Sequence, residues 1–220
     1  GAKIKFDDSP LGPRKDTDIV TKIDELALLS PMDVSCGRIS ETLKAVRAIN
    51  EAGGNATVEL HGPVTIINGV SDLMKILMGW RKAPEVMDQF FAKVSEGLIG
   101  FALAAYDAGC RVIYYTDSPG SLNILGPKFA KQITENFTVP FLKALDEKLP
   151  ADCVIHLCPK TSFLLTGFEK AEWKKFEVGE KMPYKDACLA ALGKVRILGQ
   201  RCRKADNITV SHINCLHLSE

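Results

Sequence analysis

The chain has 220 residues, of which 46% are hydrophobic and 25% charged, with a formal net charge of +1. That length holds one large domain and that balance excludes wholesale disorder or a fibrous repeat. A charge near zero gives no global attraction to nucleic acid or to an anionic membrane, so neither is an expected partner.

Apolar stretches such as Leu98 to Tyr106 stop well short of the roughly 20 residues that cross a bilayer. No basic-then-apolar leader opens the chain, and Gly1-Ala2 without an initiator Met reads as a cloning scar on a longer natural protein. The seven cysteines are an odd number in a chain too large to need disulfide staples. A reducing cytoplasm is therefore the expected location, with the cysteines serving as core filler or metal ligands.

In chain order, Asp7, Asp8, Pro10, Gly12 and Pro13 give the start turn chemistry without periodicity. Ile19 to Leu29 reads as a short amphipathic helix. Leu43, Val46, Ala48 and Ile49 recur at helical spacing between a Ser40 cap and a Gly53-Gly54 stop. Ala56 to Leu60 then reads as a strand closed by His61-Gly62-Pro63. Ser71 opens a helix through Leu73 and Leu77, and Pro84 opens a longer one carrying Phe90, Phe91, Val94 and Leu98 on one face.

The alternation repeats with strand Val112 to Thr116, the loop Asp117 to Ser121, and a helix after Gly126-Pro127. Strand Cys153 to Leu157 and a helix over Ser162 to Lys170 follow. Lys175 to Val178 is a weaker strand, Lys185 to Leu192 a helix, Val195 to Leu198 a strand, and Ile208 to Leu218 a final β segment. These amount to about five βα units, which indicates a parallel sheet. Right-handed crossovers place the loops after the strands on one side, where chemistry collects in such folds. His61, Asp117, His156, Cys158 and Cys202 all stand at predicted strand ends.

Within Val154-Ile155-His156-Leu157-Cys158 a period of two points His156 and Cys158 to the same side. An imidazole and a thiol side by side suit a soft divalent metal, zinc above all; the same spacing also describes a buried His and Cys used as filler. Cys202 is a candidate third ligand, with Cys215 its rival. Three protein ligands and one open position would make a catalytic rather than a structural zinc. Asp117 is either a substrate-side acid or a turn cap, and His61 either a cofactor-pocket residue or an ordinary strand-end histidine. No P-loop, Gly-x-Gly-x-x-Gly or Gly-x-Ser-x-Gly motif is present, against nucleotide-dependent and serine-hydrolase chemistry.

From about Gly37 to Cys202 the chain resembles the uroporphyrinogen decarboxylase superfamily, most closely its cobalamin-dependent methyltransferase branch. The likeness rests on Gly62-Pro63-Val64-Thr65, on Ala108 to Ile113 leading into Asp117-Ser118-Pro119, on Pro127-Lys128-Phe129, on Pro140 to Lys143, and on His156-Leu157-Cys158.

The resemblance implies a (β/α)8 TIM-type barrel, here a single domain over residues 1–220 with its first two strands missing. The link Arg203 to Asn207 is too short for a parallel crossover, so the last strand is expected to run antiparallel. The resemblance further implies zinc on His156, Cys158 and a later cysteine, with Cys202 preferred over Cys215. It implies methyl transfer from a methylcobalamin-type corrinoid held by a partner protein to a small thiol or tetrahydrofolate, with Asp117 in a positioning role. Two departures stand out: Pro159 replaces the family's usual glycine, and the chain is short, so a homo-oligomer or a completing chain is expected. A decarboxylase acting on a tetrapyrrole, and a non-catalytic partial barrel that docks a corrinoid protein, are the alternative readings.

Overall fold

The computed structural model describes residues 2–6, 14–205 and 208–219. The turn-forming Asp7, Asp8, Pro10, Gly12 and Pro13 lie outside them. Two short strands, β1 (Ile4–Lys5) and β2 (Arg14–Lys15), pair antiparallel, apart from the main sheet. Of the expected helix over 19–29, only Ile23–Leu28 winds, as a 3-10 turn. Lys93 ties it down by donating to the carbonyls of Ala27 and Leu29 at 2.8 and 2.6 Å.

The body begins with α1 (Gly37–Glu51), which starts earlier than Ser40. There follow β3 (Thr57–His61), α2 (Pro63–Val70), α3 (Leu73–Trp80) and α4 (Pro84–Asp107). Asp72, rather than Ser71, caps α3, its carboxylate accepting from Met74 and Lys75 amides at 3.0 and 3.2 Å. Ser71 instead ends α2 and donates its hydroxyl to the Val20 carbonyl at 2.7 Å.

Strand β4 (Val112–Thr116) has the expected bounds. Helix α5 (Leu122–Ile133) begins ahead of Gly126, which kinks it at φ 69, and a π turn at Thr134–Thr138 leads into α6 (Val139–Lys148). Next come β5 (Val154–Leu157), α7 (Pro159–Gly167), β6 (Ala171–Pro183), α8 (Tyr184–Ala190), β7 (Ile197–Leu198) and β8 (Thr209–Leu218).

Six strands form one sheet in the order β3-β4-β5-β7-β8-β6. The first four are parallel, as in a (β/α)8 barrel that is incomplete, and β8 turns antiparallel to β7. The expectation of about five parallel units is corrected to four. The segment 175–178 belongs to β6, which runs antiparallel along β8 as an edge strand.

Both faces of the central strand β5 are covered, so all four of its residues are buried. The helix-facing side carries Ile113, Tyr115, Ile155, Leu157 and Ile197, packed with Phe90, Phe91, Phe137 and Phe141. Stacked and tilted rings 5.3–5.4 Å apart join Phe91, Phe137, Phe141 and Tyr115. Burying one such phenyl group contributes about 2–3 kcal/mol. The opposite, inner face has a smaller apolar cluster of Val154, Leu198, Ile213 and Cys215 under Tyr184 and Cys188 of α8.

Candidate functional site

The carboxyl ends of β3, β4 and β5 lie side by side, because the three strands are parallel and in register. At the end of β3 the chain turns through Gly62, whose amide donates to the Thr116 carbonyl at 2.8 Å. Pro63 then occupies the first turn of α2, where its missing N–H costs nothing. A Cβ on Gly62 would lie 2.5 Å from Asp117 Cγ and collide with the Tyr115 hydroxyl. Glycine lets α2 start directly against the end of β4.

Asp117 is buried and spends its carboxylate on that start. It accepts from the Val64 amide at 3.2 Å, the Thr65 amide at 2.7 Å and the Thr65 hydroxyl at 2.7 Å. It thus caps a neighbouring helix rather than its own loop, at the end where the helix dipole favours an anion. Burial nevertheless raises its pKa from 3.8 to about 6, against the lowering effect of these hydrogen bonds. His61 stands exposed at the end of β3, its Nδ1 3.4 Å from the Thr116 hydroxyl.

On β5, His156 is 1% exposed. Its Nε2 lies 2.9 Å from the Tyr184 hydroxyl, while Nδ1 is buried with no hydrogen-bond partner. Desolvation lowers its pKa from 6.5 to about 4, so the ring is neutral at pH 7. Cys158 is half-buried one step beyond the strand and opens α7 without using its thiol as a cap; Pro159 fills the first helical position. Beside it the chain leaving β7 passes close at Gly199 (φ 149), whose carbonyl accepts from Ser162 at 2.9 Å. A Cβ there would meet the Leu157 carbonyl at 2.8 Å.

Cys202 is exposed in the turn that follows. Cys215 is buried on β8 and donates its thiol to the Lys174 carbonyl at 3.0 Å. In the sheet register Leu198 separates Cys215 from His156. Two strand spacings put their Cα atoms roughly 10 Å apart, whereas a sulfur and a nitrogen sharing one zinc approach within about 4 Å. Among the described residues no group of three or more His, Cys, Asp or Glu is placed to hold a metal ion. The expected set of His156, Cys158 and Cys202 is therefore not brought together. The orphaned Nδ1 of His156 does not alter this, since it stands in a packed layer with Nε2 already engaged.

Sequence reasoning passed over Glu59, Tyr184 and Arg203. Glu59 accepts from the Thr116 hydroxyl at 2.9 Å and pairs with Arg203 at 2.5 Å. Its position two residues before His61, on the same strand face, could have marked it. Nothing in local spacing predicts that Tyr184 and Arg203 return to the inner face. A groove of about 430 Å³ opens at the far end of the strands, lined by Lys143, Asp146, Arg196, Leu216 and Leu218, and includes none of the strand-end residues above.

A methylcobamide:CoM methyltransferase, MtaA, from Methanosarcina barkeri is 26% identical over 178 residues, covering 78% of this chain and 49% of that protein. The solved structure of a methyltransferase from Methanosarcina mazei superposes with a TM-score of 0.58 at 23% identity, covering 74% of this chain and 50% of that one. The chain thus spans about half the length of these relatives. The family model for uroporphyrinogen decarboxylase (URO-D) matches residues 1–201, nearly the whole of the described fold, and the chain belongs to that family.

Proposed function

We propose that residues 1–220 form one barrel unit that takes part in methyl transfer between a corrinoid-carrying protein and a small acceptor, a thiol or a folate. One observation carries the reading: the chain is 26% identical over 178 residues to a methylcobamide:CoM methyltransferase, and the ends of β3, β4 and β5 gather His61, Asp117 and Cys158 on one edge. Such an edge is where open and closed α/β sheets bind their ligands.

In this reading Asp117 is a positioning residue. By holding the Val64 and Thr65 amides it fixes the first turn of α2, and with it the wall of the mouth beside His61. His61 is the exposed donor or acceptor that meets the ligand there. The half-buried Cys158 presents its thiol at the same edge, unclaimed by the cap of α7. The corrinoid would bring the transferable methyl group, and this chain would orient the acceptor.

A second reading, a partial barrel that docks a corrinoid protein without catalysing transfer, is favoured by the lack of an assembled three-ligand group among the described residues. The test is methyl transfer from free methylcobalamin to a thiol such as coenzyme M, and separately to tetrahydrofolate, with purified protein. Turnover that falls in Asp117→Asn and Cys158→Ser supports the first reading. Absence of turnover with every acceptor, together with calorimetric binding of a methylated corrinoid protein, supports the second.

A further inference from the structure

Glu59 and His61 lie on the inner face of β3, since the alternating Val58 and Leu60 belong to the helix-facing core. On β4, Thr116 stands opposite His61 in register, two positions beyond Tyr114, the partner of Glu59. The Thr116 hydroxyl therefore falls between a carboxylate and an imidazole. It is 2.9 Å from Glu59 Oε1 and 3.4 Å from His61 Nδ1. The other carboxylate oxygen, Oε2, is taken by the Arg203 guanidinium at 2.5 Å.

Arg203 is itself held near Glu59. The segment that leads to it is tied down where Ser162 donates to the Gly199 carbonyl at 2.9 Å and Asn214 donates to Gln200 at 2.6 Å. Its guanidinium also lies over the Tyr114 ring, 5.3 Å from the centroid. Glu59 is thus fastened at both oxygens, by a cation at one and a hydroxyl at the other.

A threonine hydroxyl has one proton to give, and an ionised carboxylate only accepts. That proton goes to Glu59, so toward His61 the Thr116 oxygen can only accept. Nδ1 of the neutral ring then carries the proton, which leaves Nε2 as a bare lone pair. His61 is exposed at the end of β3, whereas His156, the other histidine of these parallel strands, is buried with its Nε2 against Tyr184. His61 is the one open to a ligand.

We infer that Glu59 and Thr116 are positioning residues that set the His61 tautomer, and that His61 Nε2 accepts a proton from a weakly acidic ligand, a thiol. The choice of thiol rests on the methyl-transfer reading above. In the step the S–H bond breaks, its electron pair stays on sulfur, and the proton joins Nε2. The imidazolium keeps its Nδ1–H on Thr116, so the relay needs no rearrangement. The thiolate left behind is the nucleophilic form of the acceptor. A general base of this kind needs its bare nitrogen within hydrogen-bond reach of the proton it takes.

The tautomer can be read directly. Full-length protein labelled with nitrogen-15 histidine is observed by long-range proton–nitrogen NMR at about pH 8, above the ordinary imidazole pKa of about 6.5. His61→Asn assigns the His61 signals. The wild type should be mainly the Nδ1–H tautomer. Thr116→Val keeps the shape but removes the hydroxyl, and should lower the ratio of Nδ1–H to Nε2–H about fivefold, the worth of one hydrogen bond. Thr116→Ser keeps the hydroxyl and should leave the ratio as it is. The buried His156 reports in the same spectra that the sheet is intact. A wild-type ring protonated mainly at Nε2 would overturn the inference. So would a ratio that Thr116→Val leaves unchanged, or one that both variants lower alike. None of these readouts depends on methyl transfer, so a failure of that reading is seen separately, in the turnover assay.

Discussion

Replacing Asp117 with Asn tests the electrostatics of the mouth most sharply. The carboxyl is buried and its pKa is raised from 3.8 to about 6, so ionising it in the folded chain costs more than in the unfolded one. At about 1.4 kcal/mol per unit, that difference is on the order of 3 kcal/mol. Because the folded value is the higher one, this contribution to stability is fully present below about pH 4 and is lost as pH rises through about 6. An amide has no such titration and keeps an oxygen for the Thr65 donors. The measurement is urea unfolding of both proteins from pH 4 to 8, read by Trp80 and Trp173 fluorescence. Wild-type stability minus that of Asp117→Asn should fall by about 2.5 kcal/mol between pH 4 and 7. His156, with its pKa lowered to about 4, acts in the opposite sense, since its stabilisation is present above pH 6.5 and lost as pH falls through 4. That effect is common to both proteins and cancels in the difference. A constant offset across the whole range would refute the reasoning, because the buried carboxyl would then titrate like an exposed one.

Gly62→Ala should destabilise by at least about 2 kcal/mol, since Asp117 and Tyr115, the side chains its methyl would strike, are both buried; thermal melts of the two proteins read it. Gly199→Ala should cost about as much through its positive φ and the Leu157 carbonyl, and limited proteolysis should cut after β7 sooner. Arg196 donates to Asp146 and to the carbonyls of Asp146, Leu149, Pro150 and Cys153, so it closes the end of α6 from a distance. Arg196→Ala should lose about 3 kcal/mol in urea unfolding, and Arg196→Lys roughly half of that. A loss under 0.5 kcal/mol, the range of ordinary surface changes, would show that water replaces the guanidinium.

The strand–helix alternation was readable because the parallel strands are short runs rich in apolar residues, closed by turn-forming positions such as Gly62, Asp117, Pro159 and Gly199. Val112 to Thr116 needed no adjustment. The antiparallel last strand followed from the shortness of the link between Arg203 and Asn207. Misreadings came where tertiary contacts override local signals. Lys175 to Val178 looked weak because β6 is an edge whose exposed positions are charged, and only pairing with β8 reveals its full 13 residues. His156 lies on the inner face with Val154, while Cys158 stands one step beyond β5, where the strand period ends. The period said nothing of Tyr184, which arrives from 28 residues away to take the imidazole nitrogen. Asp117 illustrates the same limit, since its partners on α2 are more than 50 positions distant.

The long outer strand β6 has a bearing on how the molecule behaves in company. Its free margin is a template on which another extended chain could stack. Glu172, Lys174, Lys175 and Glu177 form ion pairs along it, and the ladder slips between Glu177 and Met182. Approaching strands would have to strip water from those charges and follow a kinked outline. Neutralising the four together should turn a soluble rim into a nucleus for fibrils, visible as thioflavin fluorescence on gentle warming.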